Sequence, residues 1–165
     1  MVECSLMEAQ MNILFICTGN TCRSPMAEAL LQNKSTRFRV KSAGIFANPQ
    51  DLANPKTLTV LKEKGISFQH QSQPVTVDLL QWANLVLTMT SSHKDQLLLQ
   101  YEQYGEKIHT LKQYVSQFGH LNEKNGSDID VPDPFGGSIE NYRQTCEELN
   151  ILVDKLLLIH TQREE

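Results

Sequence analysis

A cysteine and an arginine separated by five residues stand in the run Cys17-Thr18-Gly19-Asn20-Thr21-Cys22-Arg23, with Ser24 and Pro25 directly behind them. The apolar segment Ile13-Leu14-Phe15-Ile16 leads into the run, which therefore reads as a strand turning into a helix. A loop that closes on a helix start offers unpaired backbone N–H groups and the positive end of the helix dipole. Together these make a site for a tetrahedral anion. The same field favours thiolate over thiol and arms a cysteine in this position as a nucleophile. Arg23 adds a planar fork suited to two phosphate oxygens at once. The chemistry implied is phosphate transfer through sulfur.

The bare Cys-x5-Arg pattern is weak, since a chain of this composition contains it by chance on the order of 0.1 times. Its surroundings strengthen it. Gly19 and Asn20 tolerate the left-handed backbone that would turn the loop N–H groups inward. Ser24 can cap the helix or hydrogen-bond Cys17, and Pro25 suits a first helical turn. The bland alternative is a buried strand cysteine before an ordinary capped helix. Displacing phosphate also creates a leaving group that needs a proton, so an acid on a separate loop is required. The stretch Gln117–Gly137 supplies Asp128, Asp130 and Asp133. Pro132 and Pro134 flank Asp133 and would restrict its backbone, although Asp-Pro is also a common turn pair.

The elements that must position these groups alternate strand and helix, which predicts a single α/β domain: a parallel sheet with helices on both faces. Asn12–Cys17 is a near-continuous apolar run, as a buried central strand requires. A helix is expected over Pro25–Asn33, with Met26, Ala29 and Leu30 on one face, then a second strand over Phe38–Ser42. Asn54-Pro55 starts a helix ending near Gly65, with Leu58, Val60 and Leu61 inward. A short helix over Val77–Trp82 precedes a third strand, Leu85–Met89. Ser92 and Asp95 resemble a capping pair for a helix that stops before Gly105. That start would leave His93 exposed and without a catalytic role. Lys107–Thr110 is the fourth strand. Ser138 caps a final helix to about His160, whose apolar side includes Val153, Leu156 and Leu157. In such a sheet, ligands bind beyond the carboxyl ends of the strands. Cys17 sits at one such end, and the loop after the fourth strand brings its aspartates to the same edge.

Of 165 residues, 40% are hydrophobic and 21% charged, ordinary values for a globular protein. The formal net charge of −4 argues against nonspecific nucleic-acid binding, and no apolar run is long enough to span a membrane. Residues 1–10 carry Glu3 and Glu8 and lack an apolar core, so they read as a disordered extension rather than a secretory signal, leaving 11–165 as the domain. The cysteines Cys4, Cys17, Cys22 and Cys146 suggest no disulfide framework and suit a cytoplasmic protein. Cys17 and Cys22 have metal-like spacing, but His93, His109 and His120 are scattered, so no zinc site is expected. Asp128 and Asp130 are a poor calcium loop, because Val131 and Pro132 stand where ligand and glycine belong.

Three landmarks, the loop Cys17–Ser24, Val40-Lys41-Ser42-Ala43-Gly44 and Asp133-Pro134-Phe135-Gly136-Gly137, resemble the low-molecular-weight protein tyrosine phosphatase family in order and spacing. The resemblance runs from about Met11 to the C-terminus. Within the family it is nearest to the bacterial protein arginine phosphatases, whose loop is similar to Cys-Thr-Gly-Asn-Thr-Cys-Arg-Ser and whose acid sits in Asp-Pro-Phe-Gly-Gly. It implies a three-layer fold on a four-stranded parallel sheet and a cofactor-free, metal-free, two-step hydrolysis. Cys17 would be the nucleophile and Arg23 the phosphate ligand, with Thr18, Gly19, Asn20, Thr21, Cys22 and Ser24 in the phosphate loop. Asp133 would be the acid and then the base, leaving Asp128 and Asp130 as solvated loop residues. Cys22, otherwise a small filler, would form a reversible disulfide with Cys17 under oxidation. Cys146 is simply a packed cysteine.

The expected substrates are phosphorylated proteins, handled by a monomer. Thr21 bears on which ones: tyrosine-directed members typically carry a bulky aliphatic residue there, and threonine resembles the arginine-directed ones. Its bland role is to satisfy a loop backbone group. Phe135 would wall the substrate stem, and Tyr142 would lie near the rim or on the helix surface. The expected reaction is phosphoarginine hydrolysis, with phosphotyrosine hydrolysis as the alternative. Arsenate reduction would need two relay cysteines after the loop, where only Cys146 follows. A noncatalytic phosphate-binding module would be expected to lack the nucleophile or the acid, and no nucleotide-binding Gly-x4-Gly-Lys-Ser/Thr is present.

Overall fold

A computed structural model describes residues 10–119 and 128–162. The expected disorder of residues 1–10, apart from Gln10, falls outside the described residues, as do Cys4 and residues 120–127 of the irregular stretch, His120 among them.

Four parallel strands form one sheet: β1 (Met11–Cys17), β2 (Phe38–Gly44), β3 (Leu85–Thr88) and β4 (Ile108–Thr110), in the order β2-β1-β3-β4. β1 is apolar and buried from Ile13 to Cys17 because it is central, and its side chains alternate between two cores. Ile13 and Phe15 pack into one core, and Leu14 and Ile16 into the other. The register pairs Cys17 with Gly44 and Ile16 with Thr88, so the chain leaves all the central strands at one edge.

The helices are α1 (Arg23–Lys34), α2 (Pro55–Glu63), α3 (Val77–Trp82), α4 (Ser91–Gln100), α5 (Leu111–Phe118) and α6 (Ile139–Gln162). α1 is buried from Arg23 through Leu31 because it lies between the sheet and α6. In α2, Asn54 caps the N-terminus by accepting from the Lys56 N–H; Val60 and Leu61 are buried, while Leu58 is only partly so. The Ser92–Asp95 capping pair is not formed. Thr90 caps α4 instead, accepting from the His93 N–H at 3.1 Å, so the helix starts two residues earlier, and His93 is buried. α5, an element not anticipated from the sequence, is capped by Thr110 through the Gln113 N–H at 3.2 Å. Ser138 does cap α6, accepting from the Asn141 N–H at 3.3 Å. Among the described residues no helix is long and apolar enough to cross a membrane.

β1 connects outward to β2, and the chain then crosses to β3 on β1's other side. The order therefore reverses between β1 and β3, where helices on the two faces diverge and leave a crevice above the strand ends.

Candidate active site

The phosphate loop begins where β1 ends in that crevice, and its shape is imposed from below. Phe46 N–H donates to Thr18 C=O at 2.9 Å and Ile45 N–H to Cys17 C=O at 3.0 Å, lacing the loop to the chain leaving β2. Gly44 lies directly under the loop. A Cβ there would come within 2.5 Å of Thr18 O and 2.9 Å of Asn20 N, both backbone atoms that cannot step aside. This close approach explains the glycine in Ser42-Ala43-Gly44.

Asn20 is the one described non-glycine residue with positive φ, at 56°. Gly19, expected to share that role, has ordinary backbone. Asparagine is tolerated in the left-handed region, and here its side chain also ties the loop together. Its Nδ2 donates to Ser24 Oγ at 2.9 Å and Ser42 Oγ at 2.8 Å, while Oδ1 accepts from Gln73 N–H at 3.0 Å. Its carbonyl accepts from Ser72 Oγ and meets His70 Nε2, both at 2.8 Å. Thr21 C=O accepts from Asn54 N–H at 2.9 Å and Thr57 Oγ1 at 3.1 Å, fastening the loop to α2.

This bracing leaves the loop's own donors free. Backbone N–H groups from Gly19 to Cys22 find no acceptor among the described residues, and α1 starts without a side-chain cap. Such a helix start holds an anion well. Ser24 does not cap α1; its hydroxyl lies 2.9 Å from Cys17 Sγ, the second of its two expected roles.

Cys17, Thr18, Gly19, Thr21, Cys22 and Arg23 line a cavity of about 250 Å³, closed on its other side by Asp51, Asp133 and Phe135. Arg23 is buried. One guanidinium nitrogen donates to Val131 C=O at 3.0 Å, and the other lies 3.4 Å from both Thr18 Oγ1 and Asp133 Oδ2. Val131 N–H in turn donates to Met89 C=O at 2.8 Å, which pins the aspartate loop to the end of β3. Asp133 Oδ1 accepts from Phe135 N–H at 3.0 Å, an Asx turn that orients the carboxylate. Phe135 is 71% exposed at the mouth of the cavity.

Three side chains depart from their sequence-based expectations, and a fourth joins the site without any. His93 is buried, and its Nε2 lies 2.8 Å from Thr18 Oγ1, directly behind the phosphate loop. Burial, reinforced by the Arg23 charge, pushes its pKa down to about 4. Tyr142 is neither at the rim nor on the surface. Its buried hydroxyl sits 3.3 Å from Cys22 Sγ, and burial together with that contact raises its pKa above the usual tyrosine value. Asp130 is not a solvated loop residue: its carboxylate accepts from Ser91 N–H at 2.7 Å at the start of α4. Asp51, unremarked in the sequence, reaches the cavity because Ser72 N–H donates to its carbonyl at 2.9 Å. No motif marks any of the four, since each depends on tertiary placement.

The remaining assignments are simpler. Asp128 is exposed and pairs with Lys112 at 2.9 Å. Cys17, Cys22 and Cys146 are unpaired thiols, and burial pushes Cys146 up to about 11, which suits a packing role. A second cavity of about 730 Å³ beside α5 and α6 contains none of the phosphate-loop residues. Among the described residues no cluster of three or more His, Cys, Asp or Glu could hold a metal ion.

Residues 12–165 match the family described as low molecular weight phosphotyrosine protein phosphatase. A protein-arginine-phosphatase of Bacillus subtilis is 47% identical over 150 residues, covering 88% of this chain and 94% of its own. A low molecular weight protein-tyrosine-phosphatase of Staphylococcus haemolyticus is 38% identical over 146 residues, covering 88% and 97%. Among solved structures, the YwlE arginine phosphatase from Geobacillus stearothermophilus superposes with a TM-score of 0.83 at 46% identity, covering 94% of this chain and 97% of that one.

Proposed function

The chain belongs to the low molecular weight phosphotyrosine protein phosphatase family, and from that premise we propose that it removes phosphate from phosphoarginine in proteins. It is a cysteine-dependent protein phosphatase. One observation carries the mechanism: Cys17 and Arg23 of the phosphate loop and Asp133 from a loop more than a hundred residues later line one cavity.

Cys17 attacks phosphorus, forming an S–P bond as the P–N bond to the guanidino group breaks. Arg23 and the free loop N–H groups hold the equatorial oxygens as charge develops on them. Asp133 protonates the departing nitrogen, then takes a proton from the water that hydrolyses the phosphocysteine, which regenerates the thiolate. Ser24, 2.9 Å from Cys17 Sγ, is placed to stabilise the sulfur when it leaves.

Thr21 supports the arginine assignment. It lines the cavity with a hydroxyl whose nearest partner is Cys22 Sγ at a long 3.6 Å, so it remains available to a guanidino N–H. The 47% identical relative named for arginine points the same way. Phosphotyrosine is the second reading, favoured by the Phe135 ring, exposed where another aromatic ring could stack. A cytoplasmic setting accords with the three unpaired thiols, Cys17 and Cys22 among them available for reversible oxidation, and we take the working unit to be a monomer.

The deciding experiment compares kcat/KM on matched phosphoarginine and phosphotyrosine peptides, with Cys17→Ser as control. The arginine substrate is expected to win, and Cys17→Ser to lose turnover while still binding inorganic phosphate. Preference for phosphotyrosine replaces the substrate assignment; an active Cys17→Ser removes the mechanism.

A further inference from the structure

Behind the phosphate loop lies a hydrogen-bond chain that the two-step mechanism does not use. His93 is 5% exposed, its Nε2 is 2.8 Å from Thr18 Oγ1, and its Nδ1 is sealed from solvent without a partner. That orphaned atom fixes the tautomer. A proton on Nδ1 would leave a buried donor unpaired, whereas a bare Nδ1 leaves only an acceptor unfilled, the more tolerable of the two. The single proton of the neutral ring therefore sits on Nε2 and is donated to Thr18 Oγ1. Burial and Arg23 keep the ring neutral, against the weaker opposing charges of Asp130 and Asp133.

Thr18 Oγ1 receives a second donor, the Arg23 guanidinium, at 3.4 Å. A hydroxyl oxygen has two lone pairs and one proton. With both lone pairs facing donors, the proton is directed away from His93 and Arg23. No acceptor for it exists among the described residues, and Thr18 is exposed on the cavity wall beside Arg23.

We infer that the Thr18 hydroxyl is a side-chain donor to the substrate's phosphate, aimed from behind by His93. Thr18 thereby joins the residues that touch substrate, while His93 is a positioning residue that acts through it. The inference rests on the proposed phosphate-binding role of the cavity. It adds a donor that the backbone N–H groups and Arg23 do not supply, at the edge of the site nearest Asp133.

The test measures inorganic phosphate binding by calorimetry and kcat/KM on a phosphopeptide, with melting temperature as a check on folding. Thr18→Val, which keeps the shape and removes the hydroxyl, is expected to weaken phosphate binding and kcat/KM by about tenfold, the scale of one hydrogen bond to a charged group. Thr18→Ser restores both. His93→Leu reproduces the Thr18→Val loss but adds nothing to it in the double variant, whereas His93→Gln, which can still present a donor, recovers part of it. Unchanged phosphate binding and turnover in Thr18→Val overturn the inference, and additive losses in the double variant overturn the role of His93. A wild-type protein that binds phosphate but cleaves neither phosphopeptide fails the proposed function instead, leaving the binding comparison to judge Thr18.

Discussion

The Arg23 guanidinium and the Asp133 carboxylate lie 3.4 Å apart, the arginine side chain 5% exposed and the aspartate 49%. The buried partner is held through Val131 C=O, and the half-exposed aspartate through one oxygen in its Asx turn, which leaves Oδ2 facing the guanidinium. The carboxylate sits where it neutralises part of the Arg23 charge. A phosphate dianion held by Arg23 would compete with Asp133 for the same guanidinium.

Asp133→Asn should therefore separate binding from chemistry. The amide cannot deliver a proton, so kcat is expected to fall by about 10²–10⁴, the usual range for general acid catalysis. Inorganic phosphate should bind at least as tightly, because a competing negative charge has gone. Steady-state kinetics with phosphate as inhibitor reads both. A kcat within about threefold of wild type would remove Asp133 as the acid.

Thr21→Ile tests the substrate wall. Isoleucine removes a hydroxyl and adds apolar bulk beside the leaving group. A site built to hydrogen-bond its substrate loses strongly when that partner is deleted, whereas apolar exchange alone shifts selectivity by only about 10–200-fold. The ratio of kcat/KM for phosphoarginine over phosphotyrosine peptides is expected to fall by at least about tenfold. An unchanged ratio shows that selectivity lies elsewhere on the cavity wall.

How far the sequence revealed this site depended on the range of the interactions involved. The apolar run into Cys17 and the alternation that followed placed the strands to within one or two residues. Local chemistry also located the Asn54 and Ser138 caps. The Ser92–Asp95 pair misled because Thr90, with no acid three residues on, caps α4 two residues earlier. That shift rotates His93 from solvent into the site, a change no local rule distinguishes. Tyr142 was equally illegible: its place against Cys22 depends on how α6 packs over α1. α5 follows β4 with no linker, Thr110 being both the last strand residue and the cap, so no turn signal separates the two.

Asn20 combines two separable contributions. Asn20→Ala loses the hydrogen bonds its side chain donates to Ser24 and Ser42 and accepts from Gln73, each worth about 1 kcal/mol net, and also places a Cβ residue without polar compensation at positive φ, at a further ~1 kcal/mol. Asn20→Gly loses only the hydrogen bonds. Denaturant unfolding is expected to show Ala less stable than Gly by about 1 kcal/mol, with both below wild type by roughly 2–4 kcal/mol. Equal stability of the two variants would mean that the backbone at φ 56° carries no strain.

The depressed pKa of His93 predicts an acid-sensitive fold with a definite pH window. In the unfolded chain the ring takes up a proton near its ordinary value of about 6.5, but in the folded chain not until about 4. Between these values the unfolded state binds more protons, so stability falls as pH falls from 6.5 toward 4 and the loss levels off below. His93→Gln cannot titrate, so its melting temperature should decline less steeply across that window. The decline will not vanish, because burial also lowers the pKa of His109. Parallel melting-temperature curves for wild type and His93→Gln between pH 4 and 7 would show that the ring protonates as readily in the folded protein as in water, which its sealed position behind Thr18 argues against.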